Sequence, residues 1–239
     1  MKFLLKFAAI MMPGLGVIAQ EVPKIVDLSP VPWSTNVNAS VTKKIVVTFD
    51  QDMRSGFSSW LGRSGVLPDS DLKPSEKDSR TFELNVDLRP GKVYVFALNE
   101  KRIPGVGFQS KKGVPAPSFF LVFQTAGTIA PDDSPPRPVS TIPVSNSRID
   151  PARLNSISVT FDKAMQNAKH GMHMRENQKE VDLSKARFQY AGDGKTFTLA
   201  YDFKPASTYE FELNSVHDIG FASAKRVPLW PGKFAFSTQ

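Results

Sequence analysis

Val46-Val47-Thr48-Phe49-Asp50-Gln51-Asp52-Met53 is written a second time as Ser158-Val159-Thr160-Phe161-Asp162-Lys163-Ala164-Met165. In the second copy Ile157, Val159 and Phe161 alternate with Ser156, Ser158 and Thr160. A period of two is that of an extended strand with one face in a core and the other in water. Outward from this stretch the copies keep step. Arg80-Thr81-Phe82-Glu83-Leu84 answers Lys195-Thr196-Phe197-Thr198-Leu199. Leu88-Arg89-Pro90-Gly91-Lys92-Val93-Tyr94-Val95-Phe96 answers Phe203-Lys204-Pro205-Ala206-Ser207-Thr208-Tyr209-Glu210-Phe211, and Val122-Phe123-Gln124-Thr125 answers Ala235-Phe236-Ser237-Thr238. Met53 and Met165 are 112 residues apart, Tyr94 and Tyr209 115, Thr125 and Thr238 113. Ordered matches at nearly constant spacing mean one unit present twice.

The copies run from about Val22 to Ala126 and from Val139 to Gln239, which assigns residues 20–127 to a first domain and 139–239 to a second. Between them, residues 128–138 hold four prolines and two aspartates, the composition of a stiff, extended linker with little to bury. No window carries a helical stripe. Short strands broken at turns such as Pro90-Gly91 and Gly192-Asp193-Gly194 predict an all-β chain of two tandem immunoglobulin-like β-sandwiches. Tyr94 and Tyr209 each open a late strand after a Leu/Phe-x-Pro turn, where such sandwiches place a corner tyrosine bonded back to backbone. An ordinary core tyrosine fits the position equally well.

The Ser29-Pro30 or Ile142-Pro143 opening, the Val-Thr-Phe-Asp-x-x-Met run, x-Thr-Phe-x-Leu, Pro-x-x-x-Tyr and Phe-x-Thr together resemble the bacterial Ig-like domain of the surface-layer-protein (SbsA-like) type. The resemblance covers both copies. It implies an exported spacer, adhesive or surface-assembly module, with no shared catalytic residues.

The N-terminus points the same way. Lys2 and Lys6 precede the apolar run Phe7-Ala8-Ala9-Ile10-Met11-Met12, loosened by Pro13 and Gly14, and Val17-Ile18-Ala19 supplies small residues at a cleavage site. Residues 1–19 therefore read as a secretory signal peptide, too short and interrupted to span a bilayer. No later apolar run is long enough to be a transmembrane segment. With no cysteine, the chain has neither a lipidated anchor residue nor disulfides, and packing must hold it together. Its 19 prolines favour loops and strands over helices. The formal charge of +7, of which Lys2 and Lys6 contribute two, is spread over many turns, so nucleic acid is not expected as a partner.

No catalytic motif occurs: there is no thiol, no Gly-x-Ser-x-Gly elbow, no His-Glu-x-x-His and no phosphate-cradling glycine loop. Asp50 and Asp162, at matching strand ends, read as turn or edge determinants, and Met53 and Met165 as plugs of the sandwich ends. All three histidines fall in the second copy, in His170-Gly171-Met172-His173-Met174 and His217-Asp218. Loops gather at the ends of a sandwich, so His170, Met172, His173, Met174 and His217 make a candidate set of ligands for copper. Three unrelated surface or turn histidines are the alternative. The second copy also resembles the CopC-type periplasmic copper proteins, but lacks their histidine at the mature N-terminus.

A second asymmetry lies in the first copy. Val93, Val95 and Ala97 stand opposite Tyr94, Phe96 and Leu98, where the second copy has Thr208, Glu210 and Glu212. Phe120 and Val122 likewise alternate with Phe119, Leu121 and Phe123. Val93, Val95, Phe120 and Val122 thus form a candidate interface, to be covered by a partner, by another copy, or from within the chain by a loop or the second domain. The expectation is an exported, non-enzymatic protein of periplasm, cell surface or medium, acting on an envelope protein or polysaccharide without a cofactor. A copper-binding protein is the alternative.

Overall fold

The computed structural model describes residues 21–62, 74–99 and 107–239; the expected signal peptide lies outside them. The first domain comprises β1 (Ile25–Ser29), β2 (Lys44–Phe49), β3 (Trp60–Gly62), β4 (Pro74–Glu76), β5 (Thr81–Asn85), β6 (Val93–Leu98) and β7 (Phe119–Gln124). The second holds β8 (Pro138–Ile142), β9 (Arg148–Ile149), β10 (Ser156–Phe161), β11 (Met172–Glu176), β12 (Lys179–Val181), β13 (Arg187–Tyr190), β14 (Thr196–Ala200), β15 (Thr208–Leu213) and β16 (Gly232–Thr238).

In the first domain the sheet β1-β2-β5-β4 faces β3-β6-β7, and in the second β13-β14-β10-β8 faces β12-β11-β15-β16-β9. These are the two sheets of an Ig-like sandwich, twice over. The repeated run that opened the sequence lies on β2 and β10, each a central strand of its sheet. Ile45, Val47 and Phe49 point inward from β2, and Ile157, Val159 and Phe161 from β10, all at most 1% exposed. Fully burying such a side chain stabilises by about 1.5–3 kcal/mol, which sets the strand register.

The corner tyrosines are real in both copies. Tyr94 Oη accepts the Arg89 N–H at 2.7 Å, and Tyr209 Oη accepts the Lys204 N–H at 2.7 Å. Asp50 and Asp162 serve the strand edge, each accepting a backbone N–H, from Lys24 at 2.9 Å and from Arg137 at 2.8 Å. Met53 and Met165 are buried in their respective cores.

The linker is not the bare, extended tether that its prolines suggest. Pro131–Asp133 forms a short 3-10 turn, Pro136 is buried, and β8 starts at Pro138, inside the expected linker. The Lys163 ammonium donates to Pro131 O at 2.8 Å, Ser134 O at 2.9 Å and Ser134 Oγ at 2.7 Å. The lysine thus ties both ends of the turn together, and Pro131 O also accepts the Ser134 hydroxyl at 2.7 Å. At the linker's entrance the chain passes so close to Gly91 (φ 63°) that a Cβ there would stand 2.2 Å from Thr128 O. The second copy places Ala206 (φ 50°) at that turn.

Candidate functional site

The outer face of the sheet formed by β6 and β7 decides how the domains sit together. Every residue of β6 is buried, whereas β15 alternates between exposed Thr208 and Glu210 and buried Tyr209 and Phe211. Val93, Val95 and Val122 are 6%, 2% and 0% exposed, and Phe120 is half-buried. They belong to a small apolar cluster, separate from both sandwich cores, that is completed by Val227, Ile219 and Trp230 of the second domain and by Trp33 and Ile129. The apolar face is thus no open docking surface. The second domain covers it.

Hydrogen bonds frame this seam. Phe120 N–H donates to Val216 O at 2.6 Å, and the Trp230 indole N–H donates to Trp33 O at 2.9 Å. The two indoles meet edge-on, 5.6 Å apart. Trp33 takes a left-handed φ of 64°, and Asn146 takes the same value at the matching turn of the second copy. Left-handed φ suits asparagine far better than tryptophan, so the indole's role in the seam offsets a backbone cost. Around the rim Lys225 meets Asp132 at 3.0 Å and Lys92 meets Asp133 at 3.5 Å. The Lys225 hydrogen bond holds the Asp132 carboxyl below its ordinary range. Beside the seam Val95 and Phe120 also line a crevice of about 740 Å³ with Met165, Lys169, Ile219 and Arg226.

The structure does not gather the five copper candidates. On β11, Met172 and Met174 point into the core (4% and 0% exposed) and His173, between them, points to the opposite face. Thioethers and imidazole are therefore on different sides of one sheet. His170 packs against Phe188, Phe197 and Phe221, and burial lowers its pKa. His217 belongs to the seam: its Nδ1 lies 2.8 Å from Ser118 O and its ring stands edge-on to Phe119. His173 lies between Glu180 at 3.6 Å and Asp218 at 3.8 Å. Among the described residues no three His, Asp or Glu side chains converge to hold a metal ion.

The face that the seam leaves uncovered is the outer side of β11, β15 and β16. A groove of about 700 Å³ there is lined by His173, Arg175, Glu180, Glu210, Glu212 and Lys233, and His217 reaches its edge, so two of the five candidates, His173 and His217, share this groove while His170, Met172 and Met174 do not line it. Its charges pair across strands, Arg175 with Glu180 at 3.3 Å and Lys233 with Glu212 at 3.7 Å.

Two matched elements escape the motif reading. Asn99 and Asn214, both at left-handed φ, bury their amides as pegs: Asn214 Nδ2 donates to Phe221 O and Leu229 O at 2.8 Å each, and Oδ1 accepts Phe221 N–H at 2.9 Å. Asn99 makes the same bonds to Phe108 and Ala116. Each peg holds a turn, 108–116 or 221–229, and Val114-Pro115 against Val227-Pro228, 113 residues apart, is the sequence signal that reveals it.

Residues 132–238 match the model of the bacterial Ig-like domain family. The second domain with its linker fills that match. No curated protein matches the chain in sequence. Among solved structures, the copper resistance protein PcoC from Escherichia coli is 16% identical over 43% of this chain and 99% of its own, with a TM-score of 0.35. The S-layer protein rSbsC is 17% identical over 44% of this chain and 14% of its own, with a TM-score of 0.32. A titin I-band fragment is 12% identical over 92% of this chain and 66% of its own, with a TM-score of 0.29. Superpositions this loose say nothing of ligand, activity or partner.

Proposed function

We propose that this chain is an exported, non-catalytic protein that works by binding or assembly at the cell envelope, its two Ig-like domains acting as one rigid piece. The observation that carries the reading is the seam, where an apolar sheet face of one domain is closed by Val227, Ile219 and Trp230 of the other. A rigid pair of sandwiches presents surfaces at a fixed distance and angle, which suits recognition or assembly and asks for no cofactor. The basic and apolar N-terminal run supports export to periplasm, surface or medium, and the family match over 132–238 supports the envelope setting. The partner class is an envelope protein or polysaccharide.

Fractionation of expressing cells, with co-sedimentation of the purified protein on isolated envelopes, tests the reading. The expected result is a processed protein outside the cytoplasm that pellets with envelopes; loss of pelleting after protease treatment of the envelopes indicates a protein partner, and retention a polysaccharide. An unprocessed cytoplasmic protein that stays in the supernatant overturns it.

A further inference from the structure

The crevice of about 740 Å³ beside the seam is built by both domains. Val95 and Phe120 of the first domain and Met165 and Ile219 of the second give it an apolar lining. Its charged residues, Lys169, Asp218 and Arg226, all come from the second domain. Asp218 is engaged within the protein: its Oδ1 accepts the Gly220 N–H at 2.9 Å, and its Oδ2 lies 3.8 Å from His173 Nε2. Lys225, the neighbour of Arg226 in sequence, pairs with Asp132 at 3.0 Å and does not line the crevice. The side chains of Lys169 and Arg226 are exposed and, among the described residues, have no ion pair or hydrogen bond.

Arg226 is held there at a conformational cost. Its N–H closes a turn onto Ser223 O at 2.7 Å, and its φ of 66° is left-handed. The matched turn of the first domain closes in the same way, Gly113 N–H onto Ser110 O at 2.8 Å, with Gly113 at φ 81°. Glycine takes this conformation freely, whereas a side chain at that φ crowds its own backbone. Such strain persists where the side chain has a task. We propose that the crevice binds an aliphatic carboxylate of the fatty-acid type, with its tail against Val95, Phe120, Met165 and Ile219 and its head held by Arg226 and Lys169. The guanidinium fork matches the two oxygens of a carboxylate, and the lysine adds a second positive charge. Two cations against the Asp218 carboxylate leave one positive charge, so a monoanion balances the site and a phosphate dianion does not. A mostly apolar cleft of this size at a domain boundary, with few charged groups, is the usual form of a small-molecule site.

Isothermal titration of the purified protein with decanoate, below its micellar concentration and at low salt, tests the proposal, which stands apart from the envelope reading. The expected result is saturable binding of a single decanoate per chain. Decyltrimethylammonium, with the same tail and the opposite charge, should bind about tenfold more weakly or worse. R226G should weaken decanoate binding by about tenfold or more while melting no lower than the parent, because glycine suits the left-handed turn. R226K should keep part of the affinity, and K169A should lower it by a smaller factor than R226G at an unchanged melting temperature. A parent that does not bind decanoate, equal binding of the two amphiphiles, or an R226G chain that binds like the parent overturns the proposal. If R226G melts below the parent, K169A decides, and unchanged affinity there overturns it. Capture by vesicles of anionic phospholipid without any binding of decanoate also overturns it, in favour of a membrane surface.

Discussion

Asn214 shows what one side chain does here. Its amide satisfies two carbonyls and one N–H of the turn that carries Val227 into the seam. Asn214→Ala leaves those groups buried and unpaired, at a cost of roughly 3 kcal/mol or more. Chemical denaturation of the variant should show that loss, and Asn99→Ala should show one of similar size. His170 sets a pH dependence. Burial among Phe188, Phe197 and Phe221, together with the nearby His173 charge, lowers its pKa against the opposing pull of Asp218. The unfolded chain then binds the proton more tightly than the folded one. Stability attributable to His170 is complete above its ordinary pKa of about 6.5 and is lost as pH falls from there through the depressed folded value. Melting temperature measured down a pH series should fall less steeply in that window for His170→Phe than for the parent.

At the scale of elements, β6 and β15 are the same strand put to two uses. Val95→Glu with Val122→Glu drives two carboxylates into the seam, and a buried unpaired charge costs several kcal/mol. Opening the seam relieves that cost while leaving Tyr94, Phe96, Leu121 and Phe123 in the core. Small-angle scattering should therefore show a larger radius of gyration for the double variant, with strand content unchanged by circular dichroism. Much of the element structure was legible beforehand, because period-two burial leaves a trace in residue order: the repeated Val-Thr-Phe-Asp run, the corner tyrosines, and the two-faced apolar character of β6. What covers β6 was not legible, since an apolar face announces that it is covered and not by what. That the five copper candidates do not share one face has a reason the sequence did contain. Met172, His173 and Met174 are consecutive residues of a strand, so the middle one must face away from its neighbours. The matched turns 108–116 and 221–229 went unread because their apolar residues follow neither the strand nor the helix period, and only the Val-Pro pair marks them.

For the whole molecule, the seam predicts coupling between domains that sequence alone divides. Calorimetry of the parent should give a single unfolding transition, and the double glutamate variant should separate it into two. Limited proteolysis offers an independent check: residues 131–138, pinned by Lys163 and Lys225, should resist cleavage in the parent and be cut early in the opened variant. The placement of the aromatic pair has an optical consequence. Trp33 and Trp230 lie 5.6 Å apart with their rings inclined at 69°, close enough for the electronic transitions of the two indoles to mix and rotate polarised light as a coupled pair. The chain therefore carries an unlabelled chromophore pair whose coupled signal, in the strong far-ultraviolet band of indole, is lost when the domains part. That signal reports the joint itself, in dilute solution or on a membrane, without any reagent attached.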